Sequence, residues 1–441
     1  MKLLLIALLI IFTETQAHAD WLSVCHNQPA SVIQKKNNDR IAYYFSPDES
    51  VTLLQITKKP LEIQCKQIEV GISGGDILWA GFAPNVTPNM TNIALQGSTK
   101  DERFLVSEVI LPDVANVATE ENSIQKKTSG QVNHSKPLSR SAWFWSPDLW
   151  IDTPEKIFDV TSKFGINRIY ISILTLHGEV SHATELHKFI QSAHFHGVQV
   201  WAVLGDPRAI MNEGVSAFLS ATAAYTAFNN EAIPTGRLKG LQLDIEPYLI
   251  PGYLQNPEAW LSRYADVINN IHRTAPALQI DIVVPFWFDP DTPQVASMLG
   301  NVTDSINRIT VMDYRTDPAQ IMHFATPFLN WGMHNRKAID IALETLPMVQ
   351  EDRRHYRQAD AGELLQLQVG GQSVLILLKD VYKHNESIMS YRYTYTRIID
   401  GTDISFFKTK GAFKELMTPL EAELNLWPSF SGLAIHGLDQ W

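Results

Sequence analysis

The chain has 441 residues, 45% of them apolar and 10% aromatic, which is enough to bury the cores of two or three domains. Its formal net charge is −11 and it has no basic run, which argues against nucleic acid and anionic membrane surfaces as partners. The 11 tryptophans indicate either large cores or surfaces that stack against flat ligands such as sugars.

The first 19 residues have the pattern of a cleavable secretory signal. Lys2 precedes an apolar run from Leu3 to Phe12, and a small-residue site at 17–19 precedes Asp20. The apolar run is well short of the ~20 residues that span a bilayer, so an uncleaved signal anchor is the less favoured alternative. We therefore expect the mature protein to be periplasmic or secreted, without stable insertion into a membrane.

Residues 20–117 are predicted to form a small β-rich accessory domain, because short apolar runs alternate there with Asp, Asn, Pro and Gly turns. The two cysteines of the chain, Cys25 and Cys65, lie in this region. In an exported protein they are expected to form a disulfide, and two buried free thiols are the alternative. Residues 118–140 are polar, with hardly an apolar residue, and are predicted to be a linker.

From residue 141 onward, apolar strands alternate with amphipathic helices. The predicted strands are Ala142–Trp145, Arg168–Ile173, Val198–Leu204, Gly240–Glu246, Gln279–Phe286, Arg308–Tyr314, Lys337–Glu344 and Gly432–Leu438. Their interiors are nearly continuous Val, Ile and Leu, as is typical of parallel strands buried on both faces. Eight such units predict a (β/α)8 TIM barrel over residues 141–441.

A doubly wound open sheet is the alternative fold, but no glycine-rich phosphate loop follows the first strand. One unit of the predicted barrel is irregular. Between strands seven and eight, at about residues 346–430, a β-containing insertion is predicted. It follows a strand at the face where barrels place their sites, and we expect it to form one wall of a cleft.

The stretch 240–248, with sequence GLQLDIEPY, is the strongest candidate for a functional site. An apolar strand delivers Asp244 and Glu246 and then stops at Pro247. Side chains two residues apart on a strand point to the same face, so both carboxylates share one face. Two acids on an otherwise buried strand are costly unless the site uses or pairs them.

Further polar and aromatic side chains are predicted at the carboxyl ends of the strands, where barrels place their chemistry. They are Trp145, Tyr170, Trp287, Asp313, Tyr314, Arg315, Glu344, His436 and Trp441. Carboxylates with aromatic rings suit a glycosidic bond, which needs one carboxyl to protonate the leaving oxygen and a second group to stabilise or attack the anomeric carbon. The expected partner is a carbohydrate, and neither a metal nor a cofactor is expected.

Two motifs resemble family 18 of the glycoside hydrolases, the chitinase-like enzymes. Residues 239–246 (KGLQLDIE) are similar to that family's strand-four pattern DGxDxDxE, with Lys239 and Gln242 in place of two acids. Residues 311–314 (VMDY) are similar to its strand-six Met-x-Tyr motif. The resemblance implies that Glu246 is the general acid, that Asp244 orients the N-acetyl group acting as internal nucleophile, and that Tyr314 hydrogen-bonds this group.

A second resemblance is to the clan A glycosidases. Glu246 and Pro247 are similar to the last two residues of the strand-four Asn-Glu-Pro motif of that clan, with Ile245 in place of the asparagine. Clan A has a nucleophilic glutamate at the end of strand seven, where this chain has Glu344. The implied mechanism uses Glu246 as acid/base and Glu344 as nucleophile, roughly 5–5.5 Å apart for a retaining outcome.

The sequence therefore predicts an exported glycoside hydrolase that acts on a polysaccharide or oligosaccharide, with Glu246 as general acid. The alternative is a catalytically inactive chitinase-like barrel that binds glycans, because Lys239 and Gln242 replace acids of the family pattern. A metal-dependent deacetylase or hydrolase is a third option, and its His/Asp ligand spacing is not found.

Structural roles are open for several of these residues. Asp244 suits an ion pair with an interior Arg or Lys, and Glu344 suits an ion pair at the rim with Arg315. His436 suits a hydrogen-bonded position within the barrel, and Tyr314 suits a core position with its hydroxyl at the rim.

Overall fold

The structure is a computed structural model that describes the N-terminal strands given next and then residues 138–250, 253, 256–348, 350–369, 372–383 and 389–440. The N-terminal strands are β1 (Trp21–Cys25), β2 (Ser31–Lys36), β3 (Asp39–Ser46), β4 (Glu49–Thr57), β5 (Cys65–Glu69), β6 (Ile77–Phe82), β7 (Asn92–Ser98) and β8 (Arg103–Ile110). The predicted signal segment 1–19, Trp441 and nearly all of the predicted linker lie outside the described residues.

The later strands are β9 (Ser139–Phe144), β10 (Arg168–Ser172), β11 (Thr175–Leu176), β12 (Glu179–Val180), β13 (Gln199–Leu204), β14 (Gly240–Leu243), β15 (Gln279–Pro285), β16 (Arg308–Met312), β17 (Ala338–Glu344), β18 (Glu351–Ala359), β19 (Ala361–Val369), β20 (Gln372–Lys383), β21 (Met389–Ile399) and β22 (Phe430–His436). The helices are α1 (Pro147–Ile151), α2 (Pro154–Phe164), α3 (Ala183–Phe195), α4 (Asn212–Glu231), α5 (Pro257–Thr274), α6 (Pro293–Val302), α7 (Pro318–Asn335), α8 (Gly401–Ile404) and α9 (Lys410–Leu424).

Eight strands close a parallel barrel in the order β9, β10, β13, β14, β15, β16, β17 and β22, and β22 pairs with β9 to complete it. Helices follow the strands, as a right-handed strand–helix–strand repeat requires. The predicted (β/α)8 TIM barrel is therefore confirmed, and all eight predicted barrel strands are present. No helix in the described part of the chain is long and apolar enough to cross a membrane.

Local sequence signals explain where the barrel helices begin and end. The side chain of Asn256 accepts a hydrogen bond from the backbone N–H of Ala259 at 3.2 Å, and Pro257 occupies the first turn of α5. Gly165 ends α2 in the left-handed region, at a φ of 66°. The apolar faces of these helices pack on the outside of the barrel strands in one large core.

The lumen of the barrel is filled by a polar network at its amino-terminal end. The Asp340 carboxylate receives Arg168 Nη1 on one oxygen and Arg308 Nη1 on the other, each at 2.6 Å. These two buried salt bridges link β10, β16 and β17. A charge in the lumen is tolerated only when it is paired in this way.

The chain divides into two compact units, residues 1–112 with 353–397 and residues 113–352 with 398–441. In the first unit, β4, β3, β2, β1 and β5 form a sheet in that order, and the β1–β5 register places Cys25 opposite Cys65. The predicted disulfide between these cysteines stays a prediction, because their side chains are not among the described features.

A second sheet of the first unit has the order β6, β20, β19, β21, β18, β7 and β8. Strands of the segment between β17 and β22 thus pair with N-terminal strands, β20 with β6 and β18 with β7. The sequence predicts an N-terminal accessory domain at residues 20–117 and a barrel insertion at about residues 346–430, whereas strands of both segments share this sheet. Strand edges need partners, and pairing across this long separation supplies them for both segments.

Candidate active site

Strand β14, which the two acids follow, packs closely against the neighbouring strand β13. A Cβ at Gly240 would lie 2.3 Å from the Trp201 ring, so only glycine fits at the start of β14. Asp244 continues the pairing beyond β14, since its backbone N–H donates to the carbonyl of Leu204 at 2.8 Å. Asp244 and Glu246 are both partly buried, directly after the carboxyl end of this strand.

Gln242 points into the lumen below these acids, and both ends of its amide are engaged. Its Nε2 donates to Asp281 Oδ2 at 2.9 Å, and its Oε1 accepts from Trp143 Nε1 at 2.5 Å. Asp281 Oδ2 also accepts from the hydroxyls of Tyr170 and Thr310, at 2.7 and 2.9 Å. The position where the family 18 pattern has an acid is therefore part of a closed hydrogen-bond network.

Asp244 has an oxygen without a partner. Its Oδ1 is buried and has no hydrogen bond within the described structure. Burial, and then the charges of Glu246 and Asp281, raise the pKa of Asp244 to about 7, although His436 acts in the opposite direction. A carboxyl group with such a pKa exchanges its proton near neutral pH and has a free oxygen for a ligand.

Glu246 is held by Tyr248, which is not among the site residues predicted from the sequence. The hydroxyl of Tyr248 donates to Glu246 Oε2, and Tyr248 lies two residues further along the same stretch. Burial and the charge of Glu246 raise the pKa of the Tyr248 hydroxyl, which therefore stays a donor. The Tyr248 ring meets the edges of Trp287 and Phe288, with centroids 5.3 and 5.8 Å apart.

Tyr314 follows β16 and faces the same acids. Burial raises the pKa of its hydroxyl well above the usual value of 10, and the charges of Glu344, Asp244 and Glu246 raise it further. Its ring stacks on His436 with centroids 6.3 Å apart. The structure thus brings Tyr314 together with the two acids of the predicted site.

Glu344, at the end of β17, has donors on both oxygens. Its Oε1 accepts the backbone N–H groups of Thr345 and Leu346, each at 2.7 Å. Its Oε2 lies 2.8 Å from His436 Nδ1. With 3% of its surface exposed, Glu344 is enclosed by its own loop and by β22.

His436, at the end of β22, connects Glu344 to Trp145. Its Nε2 accepts from Trp145 Nε1 at 3.3 Å, and the Trp143 ring meets its edge at a centroid distance of 5.9 Å. Burial lowers the pKa of His436, but the hydrogen bond and charge of Glu344 outweigh it, so the pKa is raised overall.

Trp287, Arg315 and Trp441 are three further residues of the predicted site. Trp287 is 53% exposed and lies beside Tyr248. Arg315 lies over the Phe286 ring, 4.5 Å from its centroid, and its Nη1 donates to the carbonyl of Tyr314 at 2.6 Å. Trp441, also a predicted site residue, lies outside the described residues.

Two expectations of ligand contact are contradicted by burial. Tyr170 was expected near the mouth, but it is fully enclosed in the middle of β10, where its hydroxyl is bonded to Asp281. Asp313 is also fully enclosed, and neither of its carboxyl oxygens has a hydrogen-bond partner. Burial raises the pKa of Asp313 to about 8, although the charge of Arg315 lowers it.

The described residues contain no group of three or more His, Cys, Asp or Glu side chains that could hold a metal ion. The arrangement at the mouth is instead one of a carboxyl pair, Asp244 and Glu246, with two tyrosine hydroxyls and an imidazole. Such a set can donate a proton, accept a proton and stabilise a positive charge on a bound ligand.

No family model matches the chain, and no curated protein matches it. The solved structures that it resembles include GH18 chitinases. A GH18 chitinase from Pseudoalteromonas aurantia is 11% identical, with 68% of this chain and 94% of that chain covered and a TM-score of 0.39. A chitinase from Chromobacterium violaceum is 10% identical, with 68% and 93% covered and a TM-score of 0.37. A GH18 chitinase from Cycas revoluta in complex with (GlcNAc)3 is 13% identical, with 68% and 95% covered and a TM-score of 0.31.

Proposed function

We propose that this chain is a glycoside hydrolase in which Glu246 protonates the glycosidic oxygen. The observation that carries the proposal is the convergence of Asp244, Glu246, Tyr248 and Tyr314 at the carboxyl end of β14 and β16, where barrels place their chemistry. Tyr248 orients the Glu246 carboxyl through its hydroxyl hydrogen bond. A held carboxyl is what proton transfer to a leaving oxygen requires.

The second group of the reaction, in this proposal, comes from the substrate. The unpartnered Oδ1 of Asp244 suits an N–H donor of a sugar, and by resemblance to family 18 Asp244 and Tyr314 orient an N-acetyl group as the internal nucleophile. The substrate is accordingly a polysaccharide or oligosaccharide that contains an N-acetylated sugar.

The geometry of Glu344 favours this mechanism over the clan A mechanism. A nucleophilic carboxylate must approach the anomeric carbon, whereas the Glu344 oxygens bind two backbone N–H groups and His436, and the side chain is almost fully covered. A substrate-assisted reaction needs no second carboxylate nucleophile from the protein.

The test is the Glu246→Gln variant, assayed against N-acetylglucosamine oligosaccharides by the release of reducing ends. We expect kcat to fall by about 10²–10⁴-fold, because the general acid is lost, while the thermal unfolding midpoint and oligosaccharide binding stay close to those of the unchanged protein. Glu258→Gln, at an exposed position of α5, is the matched control and should leave kcat unchanged. Undiminished turnover by the Glu246→Gln variant would end the assignment.

A catalytically inactive glycan-binding barrel is the second candidate. It is favoured by Gln242, whose amide is bound by Asp281 and Trp143 at a position where the family pattern has an acid. Oligosaccharide binding by the unchanged protein, without any reducing-end release over a broad pH range, would select this candidate.

We also propose that the protein is exported, on the basis of the signal pattern in residues 1–19. The expected mature chain begins at Asp20 and is found in the periplasm or the medium. N-terminal sequencing of the protein from fractionated cells tests this, and an intact Met1 in the exported fraction would contradict it.

A further inference from the structure

The indole of Trp145 is held at one end by a hydrogen bond and lies close to the backbone of Gly205 at the other. At one end, Nε1 donates to His436 Nε2 at 3.3 Å. At the other end, Cη2 would lie 3.2 Å from a Cβ placed on Gly205, and the same point lies 3.5 Å from the Cβ of Asp244. Glycine at position 205 therefore lets the ring approach the backbone closely, and the ring tip and the Asp244 Cβ both lie within 3.5 Å of the same point.

The hydrogen bond of Trp145 determines the tautomer of His436. An indole nitrogen can only donate, so His436 Nε2 must be an acceptor that carries no hydrogen. A neutral imidazole then has its hydrogen on Nδ1, and this N–H donates to Glu344 Oε2 at 2.8 Å. The direction of both hydrogen bonds follows from one donor-only group.

Glu344 is suited to select this tautomer because its orientation is fixed by its own loop. Two backbone N–H groups bind Oε1, which leaves Oε2 directed at His436. A carboxylate can only accept at both oxygens, so the imidazole must present an N–H to it. A carboxylate that orients the far nitrogen of an imidazole is a recurrent way to fix its tautomer.

We propose that Glu344 and His436 are positioning residues that hold Trp145 as a fixed wall for the sugar unit bound at Asp244 and Glu246. The inference rests on the proposed function, and it assigns to Glu344 a role other than nucleophile. A flat indole face beside the acids packs against the apolar face of a pyranose, and its fixed angle sets which face of the sugar is turned to Glu246.

The hydrogen bond that holds Trp145 depends on the protonation of His436 and therefore on pH. The groups that face His436 are Glu344 on β17, Asp244 after β14, Tyr314 after β16 and Asp439 after β22. Protonated His436 would turn an N–H at Nε2 against the indole N–H, and two donors cannot bond to each other. The wall is therefore held when His436 is neutral and is released as the pH falls through the pKa of His436.

The discriminating variant is Glu344→Gln, which has the same shape but only one accepting oxygen. If that oxygen keeps the two backbone N–H groups, the amide NH₂ faces His436 Nδ1, selects the opposite tautomer and removes the acceptor of Trp145. We expect KM to rise about ten-fold, as the loss of one aromatic packing interaction would give, with kcat changed less than about three-fold. Glu421→Gln, at a buried glutamate paired with Arg140, is the matched control and should leave KM unchanged.

A second variant, Trp145→Phe, keeps an aromatic ring but has no N–H to be held. In the Trp145→Phe background we expect Glu344→Gln to produce no further rise in KM. In the unchanged protein KM should rise as the pH falls through the pKa of His436, and we expect this rise to be absent in Trp145→Phe. A fall in kcat of more than about 10³-fold in Glu344→Gln, in either background, would overturn the proposal and identify Glu344 as a nucleophile.

A readout without activity separates this inference from the proposed function. In the ¹⁵N-tryptophan-labelled full chain at alkaline pH, the Trp145 indole N–H resonance, identified by its loss in Trp145→Phe, should shift in Glu344→Gln and stay in place in Glu421→Gln. An unshifted resonance in Glu344→Gln would refute the positioning role. If no glycan is hydrolysed and the shift is nevertheless seen, the proposed function fails while the hold on Trp145 stands.

Discussion

Asp313 offers the sharpest test of the electrostatics of this barrel. Its carboxyl is fully buried, neither oxygen has a hydrogen-bond partner, and burial raises its pKa to about 8 from a usual value of 3.8. Between these two values the folded protein keeps the proton while the unfolded chain has lost it. Stability is therefore lost as the pH rises from about 4 to about 8, and the loss levels off above that range.

The substitution Asp313→Asn removes this proton linkage and leaves an uncharged side chain of nearly the same shape. Between pH 4 and pH 7 the linkage spans about three pH units at 1.36 kcal/mol each. The free energy of unfolding of the variant, minus that of the unchanged protein, should therefore be about 4 kcal/mol larger at pH 7 than at pH 4. Comparing the two pH values cancels the difference between a neutral acid and an amide, because that difference is the same at both.

The assay is urea unfolding of the barrel followed by tryptophan fluorescence at pH 4 and pH 7, with the midpoints converted through a common slope. Asp291→Asn, at an exposed position before α6, is the matched control and should show no pH-dependent gain. Equal effects of Asp313→Asn at the two pH values would refute the assignment of a buried, neutral carboxyl at this position.

Two further predictions concern the start of β14 and the N-terminal sheet. Gly240→Ala should lower the free energy of unfolding by about 1–3 kcal/mol, since its methyl group would overlap the Trp201 ring; equilibrium unfolding measures this, and Gly300→Ala, where the added Cβ meets no atom within 4 Å, is the control. The mature protein should carry a disulfide between Cys25 and Cys65, which face each other in the β1–β5 register. Intact mass should rise by about 2 Da on reduction, and full reaction of both thiols with a thiol reagent before reduction would contradict the disulfide.

The barrel could be predicted from sequence because its signals are local. Continuous Val, Ile and Leu runs at regular intervals identify parallel strands one at a time, and Asn256 and Asp317 mark helix starts by capping. Asp244 and Glu246 were found for a similar reason, because two carboxylates on an apolar strand conflict with burial.

Depth within the barrel could not be predicted in this way. Tyr170 and Tyr314 both fall within strands predicted from the sequence, yet Tyr170 is bonded to Asp281 within the lumen, whereas Tyr314 lies just after β16 and faces the acids at the mouth. The difference depends on the stagger between neighbouring strands, which a single strand does not encode. The side-chain partners of Gln242 and Glu344 could not be predicted for the same reason, since Asp281, Trp143 and His436 come from other strands.

The sheet shared by β6, β7, β18 and β20 has a consequence for how the protein is made. The ribosome releases β6 and β7 more than 240 residues before it releases their partners β18 and β20, and this high contact order delays completion of the sheet until the chain is nearly finished. During that interval the early strands expose unpaired edges that invite aggregation. Truncated chains that end before β18 should accordingly be poorly soluble when expressed. Circularly permuted chains in which β18–β21 are adjacent in sequence to β6–β8 should fold sooner.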